Sequence, residues 1–217
     1  FFNIFAIHKM SMDKISTIIF DLGGVLIDWN PRYVYRDIFD SEERIDWFFE
    51  NVCTADWNEK QDAGRSLQEA TEELVAKHPE YEHEVRAYYG RWEEMLGGPI
   101  HATVEILRLL KESDHYKIYA LTNWSAETFP VALKRYDFLK WFDGIVMSGE
   151  EKTRKPFADI YHLLLKRFDV NPAEAIFIDD SARNINGAHE VGIHGIHFRS
   201  PEQLKEDLMN MGLLSEE

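Results

Sequence analysis

From residue 101 onward, runs rich in β-branched and aromatic residues alternate with stretches of helical period. "YKIYALTN", "DGIVMSGE", "EAIFIDD" and "IHGIHF" read as strands. "ATVEILRLLKES", "AETFPVALKRY", "RKPFADIYHLLLKRF" and "ARNINGAHEVG" read as the helices around them. Gly192 stops the last of these, and "SPEQLKEDLMNMG" adds a final helix with Ser200 as cap, Pro201 at its first position and Gln203 closing a capping box. One earlier apolar run, Ile15 to Phe20, supplies a strand before them all. Strands that alternate with helices are joined by crossovers, so the sheet is parallel and both its faces are covered. The expected fold class is α/β: a Rossmann-like parallel sheet with helices on both faces and an inserted helical cap.

The cap is where the alternation fails. Between about Pro31 and Gly98 the pattern is helical throughout. Asp40 with Glu43, and Ser66 with Glu69, have the spacing of capping boxes, and His78-Pro79 ends the second of these helices. "YEHEVRAYYGRWEEML" reads as a further helix, and "GGP" at Gly97 to Pro99 closes the block. The expected division is a cap domain over residues 29–98 and a Rossmann-like core over 13–28 and 99–217. The leading segment, "FFNIFAIHKMSMDK", lacks a basic region and a small-residue cleavage site, so it does not read as a signal peptide. Met10 or Met12 is the expected natural start, with a packed strand or tail as the alternative.

Charge removes several classes of partner. The 24 Lys and Arg against 39 Asp and Glu give −15, a surface that repels phosphate backbones and anionic lipid. Nucleic acid and membrane are therefore not expected partners; a small metabolite and a monomer or homodimer are. No apolar run approaches the ~18 residues of a membrane span. The single Cys53 excludes an internal disulfide and fits a reducing, cytoplasmic compartment. The histidines show no metal-ligand spacing.

In an open parallel sheet, ligands bind at the carboxyl ends of the strands. The polar residues of this chain gather there: Asp21 after the first strand, Thr122-Asn123 after the second, Lys155 a few residues past the third, and Asp179-Asp180 at the fourth. Each has a structural alternative when taken alone. A strand-end Asp caps a turn, Thr122-Asn123 opens a helix, and Lys155 is a solvated charge. Adjacent acids such as Asp179-Asp180 repel each other unless a cation or lysine is near. Together the set suits covalent group transfer: a carboxylate to attack, a hydroxyl and N–H groups to hold oxygens, a lysine to offset charge, and a further acid for Mg²⁺.

These motifs resemble those of the haloacid dehalogenase-like hydrolases from about Ile15 to Phe198. "FDLGGVL", "LTN", "RKP" and "FIDDSARN" are similar to that family's four motifs in order, and the helical insertion is similar to its cap. The nearest likeness is to the phosphatase branch that includes α-D-glucose-1-phosphate phosphatase. The resemblance implies a Mg²⁺-dependent phosphatase acting on a small phosphorylated metabolite, a sugar phosphate by preference, through an aspartyl-phosphate. It makes Asp21 the nucleophile, Lys155 its charge partner, and Thr122 with the Asn123 N–H the phosphate holders. Asp21, Asp180 and the Gly23 carbonyl would hold the metal. Asp179 would orient Lys155, and Asn184 would support the metal's water shell. The alternatives are a metal-free 2-haloacid dehalogenase and a non-catalytic sugar-phosphate sensor.

The chain departs from the family pattern at Gly23, where most of its phosphatases carry a second Asp that protonates the leaving group. Asp28 is a candidate stand-in, with a surface role as the simpler reading. Trp29, Asn30, Trp57, Gln61 and Arg65 are the candidate cap residues to face substrate, with cap core an equal reading for Trp57, and the "YYGRW" cluster is expected to be helix packing.

Overall fold

The computed structural model describes residues 15–215, so both readings of the leading segment lie outside the described residues. The main sheet has five parallel strands: β1 (Thr17–Phe20), β4 (Lys117–Thr122), β5 (Gly144–Met147), β6 (Ala175–Asp179) and β7 (His194–His197), in the order β5-β4-β1-β6-β7. The first strand among the described residues is thus the central one. Successive residues of a strand point to opposite faces, and here both faces are dry. Ile18 and Phe20 join Ile118, Ala120, Ile176 and Ile178 against α6 (His101–Glu112), α7 (Phe129–Arg135) and α11 (Pro201–Asn210). Ile19 points the other way, with Tyr119, Leu121, Val146 and Phe177, onto α9 (Ala158–Arg167) and α10 (Ala182–Glu190). That double burial is why the strands read as unbroken apolar runs. The α/β expectation, with its parallel sheet and flanking helices, holds.

Between β1 and α6 the chain leaves the sheet. It makes β2 (Ile27–Trp29), α1 (Arg32–Ile38), α2 (Glu42–Asn51), α3 (Ala55–Asp62), α4 (Leu67–Lys77), α5 (Glu82–Gly90) and β3 (Leu96–Pro99), and α8 (Ser148–Glu151) follows β5 later in the chain. Strands β2 and β3 pair antiparallel, so the helical excursion leaves and returns along one two-stranded stem. Its core is aromatic: fully buried Tyr35 lies with its ring centroid 5.1 Å from Phe48 and 4.9 Å from Phe49, and its hydroxyl donates to the Glu84 carbonyl at 2.8 Å. Cys53 is buried beside them, and burial pushes its thiol up to about 12.

Local signals explain most helix starts. Ser66 and Ser200 accept from the N–H groups of Glu69 and Gln203, as their spacing predicts. Two expectations need correction. The cap of α2 is Ser41, which accepts from Arg44 N–H, and not Asp40. The expected helix over Tyr81 to Leu96 is broken: α5 ends at Gly90, a short 3₁₀ turn covers Trp92–Met95, and Leu96–Pro99 is strand β3. Glycines and proline have low strand propensity, so only the pairing with β2 makes this segment a strand. No helix among the described residues is long and apolar enough to cross a membrane.

One glycine fixes how closely α10 meets the loop after Lys155. A Cβ on Gly187 would stand 2.5 Å from the Pro156 carbonyl oxygen, a backbone atom that cannot swing aside. Gly90, at the end of α5, has nothing within 4 Å of such a Cβ. Gly187→Ala should therefore destabilise by about 1–3 kcal/mol through overpacking, although alanine is the better helix former. Gly90→Ala should be neutral or stabilising by about 0.5–1 kcal/mol. Urea unfolding of the two variants checks the contrast; equal midpoints would refute the close approach.

Candidate active site

The register of the sheet assembles the site. Phe20 pairs with Ala120 on one side and Ile178 on the other, so the next residues, Asp21 and Asp179, emerge side by side with Thr122 close by. The Asp21 N–H is tied to the Ile178 carbonyl at 2.8 Å, which extends the β1–β6 ladder one residue past the strand. Thr122 is the last residue of β4 and is buried.

Lys155 stands between the two acids. Its Nζ lies 2.9 Å from Asp21 Oδ1 and 2.6 Å from Asp179 Oδ2, 5.3 Å from the centre of the Phe177 ring, with no exposure at all. Burial works against its charge, but Asp179 and Asp21 outweigh it and hold the pKa above the ordinary lysine range. The backbone around it is pinned as well. The Asn123 amide accepts from Lys155 N–H at 2.9 Å and donates to Lys155 C=O at 3.1 Å. Sequence reasoning gave Asn123 only an N–H for phosphate; its side chain holds the lysine's peptide units.

Asp179 is fully enclosed and fully used. Besides Lys155 it accepts from Ser181 N–H at 2.8 Å and from Asn184 Nδ2 at 3.0 and 3.2 Å. That leaves it an orienting residue. Asp180 is exposed at the mouth of the site, yet the protein crowding its carboxyl partly strips it of water, and that desolvation, then the charge of Asp179, raises its pKa. Gly24, at φ 75, lets the loop pass against it: a Cβ there would lie 2.2 Å from Asp180 Oδ2. Nothing in the sequence marks that approach except the second of two glycines. Gly23 is different. It has no positive φ, and a Cβ on it would meet nothing within 4 Å.

The residues fit a divalent cation. Carboxylate oxygens of Asp21, Asp179 and Asp180 lie within 4.8 Å of one another. Three acids and one lysine leave a formal charge of −2 in a largely buried site. Burial, with the charges of Asp179 and Asp180 behind it, pushes Asp21 up to about 8 against the pull of Lys155. A hard cation with oxygen ligands would relieve both. Asn184 Oδ1 is also buried without a partner among the described residues, an acceptor ready for a water of the cation's shell.

A pocket opens over these strand ends, lined by Gly23, Asn123, Trp124 and Ser125 from the core and by Trp29, Asn58, Asp62, Tyr89 and Trp92 from the helical insertion or its stem. Of the expected cap residues only Trp29 lines it. Trp57 is buried in the cap and donates to the Ala70 carbonyl at 3.2 Å. Gln61 is buried and donates to the Tyr89 hydroxyl at 3.1 Å. Asn30 accepts from Arg32 N–H, and Arg65 pairs with Glu73. Asp28 accepts from the Tyr33 hydroxyl at 2.5 Å and is not part of the pocket wall. Tyr89, in the last turn of α5, and Trp92, in the 3₁₀ turn that follows, are part of it, although expected only to pack helices.

The helical insertion is tied down over the pocket. Glu59 of α3 pairs with Arg154 at 2.7 Å and with Arg183, Ser148 Oγ donates to the Asp62 carbonyl, and Leu67 N–H donates to Glu127 at 2.8 Å.

Comparison with known proteins agrees with this arrangement. A sesquiterpene phosphatase, astK, of Aspergillus oryzae is 29% identical over 83% of this chain and 88% of its own length. A phosphorylated carbohydrates phosphatase of Thermotoga maritima is 27% identical over 83% of each. An enzyme from Bacteroides thetaiotaomicron, solved as a point mutant with magnesium and inorganic phosphate, shares the fold with a TM-score of 0.66 at 20% identity, over 86% of this chain and 95% of that one. The family model of the haloacid dehalogenase-like hydrolases matches residues 15–192. With the loop that carries Asp21, a buried lysine and an acid pair at the ends of one parallel sheet, the chain belongs to the haloacid dehalogenase-like hydrolases.

Proposed function

We propose that the protein is a Mg²⁺-dependent phosphatase that hydrolyses a small phosphorylated metabolite through an aspartyl-phosphate. The observation that carries this reading is the buried Lys155 shared by Asp21 and Asp179, with a third acid at the mouth that no lysine neutralises. Asp21 Oδ1 is occupied by Lys155 and by its neighbour's N–H, Leu22, at 2.7 Å. Oδ2, which receives no hydrogen bond from a described residue, is the atom left to attack phosphorus. Lys155 offsets charge on the carboxylate and the phosphate, and Thr122 with the Asn123 N–H holds non-reacting oxygens. Mg²⁺, held by Asp21, Asp180 and the Gly23 carbonyl with Asn184 behind, would supply charge neutralisation for a dianionic substrate. A dehalogenase acting at carbon has no need of Asp180.

The pocket favours a sugar phosphate. Three indoles, Trp29, Trp92 and Trp124, offer flat apolar faces, and Asn58, Asp62 and Tyr89 offer polar groups. Trp29 Nε1 is buried with no acceptor among the described residues, which a substrate oxygen would relieve. The relative named for phosphorylated carbohydrates supports this choice, and the one named for sesquiterpenes supplies the contrast. Across a panel of phosphate monoesters, sugar phosphates should outrank farnesyl phosphate in kcat/KM; the reverse order would overturn the substrate class.

Asp21→Asn, an isosteric change to a poor nucleophile, should lower p-nitrophenyl phosphate turnover by roughly 10³-fold or more with circular dichroism unchanged. Retention of a large fraction of the activity by contaminant-free protein would rule out the covalent route.

EDTA should abolish turnover, and Asp180→Ala should raise the Mg²⁺ needed for half activity by at least roughly tenfold. Full activity after EDTA, with halide released from chloroacetate, would establish the dehalogenase instead.

A further inference from the structure

We propose that Asp62 of α3 is the general acid–base for this site, reaching from the helical insertion into the place that Gly23 leaves without an acid. The proposal rests on the phosphatase reading above.

Four observations lead to it. First, the loop has room but no acid: a Cβ at Gly23 meets nothing within 4 Å, so open pocket begins at that backbone. Second, Asp62 lines the same pocket, together with Asn123 and Trp124 at the phosphate end. Third, one oxygen of Asp62 is positioned and the other is free. Oδ2 accepts from Asn58 Nδ2 at 3.2 Å, and Asn58 is itself fixed by the Tyr89 hydroxyl at 2.9 Å; no described residue donates to Oδ1. Fourth, the residue is anchored to the core at its own backbone, where Ser148 Oγ donates to its carbonyl, and one turn earlier by Glu59 with Arg154.

A carboxylate has no stabilising business at this place in a helix. Asp62 is the last residue of α3, where the helix dipole disfavours negative charge by about 0.3–1 kcal/mol. The groups around it are Glu59 on its own helix, Tyr88 and Tyr89 on α5, and Arg154 and Lys155 from the core. Burial, aided by Glu59, pushes its carboxyl up to about 7 against the pull of Arg154 and Lys155. An acid in that range is half protonated at neutral pH, which suits a group that must give a proton and then take one.

The steps balance. In the first, Asp21 carboxylate bonds to phosphorus, the bond from phosphorus to the ester oxygen breaks, and that oxygen keeps the electron pair and takes the Asp62 proton. The products are the alcohol, the aspartyl-phosphate and Asp62 carboxylate. In the second, water bonds to phosphorus and gives a proton to Asp62, and Asp21 leaves as carboxylate with inorganic phosphate. Both side chains end as they began.

The test uses the full chain with Mg²⁺ and phosphate monoesters of graded leaving-group pKa, from p-nitrophenyl to simple alkyl. The variants are Asp62→Asn, Gly23→Asp and the two combined. Because kcat/KM reports only steps through release of the first product, it isolates protonation of the leaving group. Asp62→Asn should lower kcat/KM for alkyl phosphates by ~10²–10⁴-fold, and for p-nitrophenyl phosphate by far less. Wild type should lose rate with alkyl substrates as pH rises through about 7, and that alkaline limb should be absent from the variant. Adding Gly23→Asp to Asp62→Asn should restore alkyl turnover, since the acid then comes from the loop. Equal losses for alkyl and aryl substrates, an alkaline limb that survives in Asp62→Asn, or no rescue by a folded double variant would each overturn the assignment while leaving the phosphatase reading intact. A wild-type protein with no Mg²⁺-dependent monoesterase activity would overturn both.

Discussion

An ammonium with no exposure, held between two carboxylates, is the constraint on which the rest of this structure turns. Removing a charged amine from water costs several kcal/mol, and only close, well-aligned partners offset it. Lys155 has them in Asp21 and Asp179, and those two stand together only because β1 and β6 pair in the register Phe20 to Ile178. A slip of one residue would turn one acid into the apolar face and leave the lysine unpaired. The apolar packing of Ile18, Ile19 and Phe20 is thus also what aims Asp21.

The same economy of charge explains the mouth of the site. Asp179 spends all its acceptor capacity on Lys155, Ser181 and Asn184, so it cannot also serve a cation fully. Asp180, exposed and pressed against Gly24, is the acid with capacity to spare. Adjacent acids in one sequence therefore do different work because one points into the core and its neighbour out of it, as strand geometry requires.

The strand ends were legible in the sequence because a fully buried strand must be continuously apolar, and a polar residue at its end stands out. Asp21, Thr122 and Asp179 needed no more than that. Ser66 and Ser200 were legible as caps because their partners lie at fixed spacing, whereas Asp40 and Ser41 are both good caps and only geometry separates them. The third strand of the chain, Leu96–Pro99, was hidden by its glycines. The pocket wall was harder still. Tyr89 and Trp92 look like helix packing because nothing local marks the end of α5 between them, and Asp62 sits among many acids on a strongly acidic chain. What distinguishes Asp62 is which way α3 faces, a property of tertiary packing that no local spacing encodes.

Arg154 has a consequence of its own. It is the chain neighbour of Lys155, and it grips Glu59 of the helical insertion in a pair that is mostly shielded from water. The tie to the helical insertion and the buried ammonium are therefore carried by consecutive residues of one loop, and Asn123 clamps the Lys155 peptide groups from the sheet side. The tether of the helical insertion and the buried ammonium thus share one anchor on the sheet.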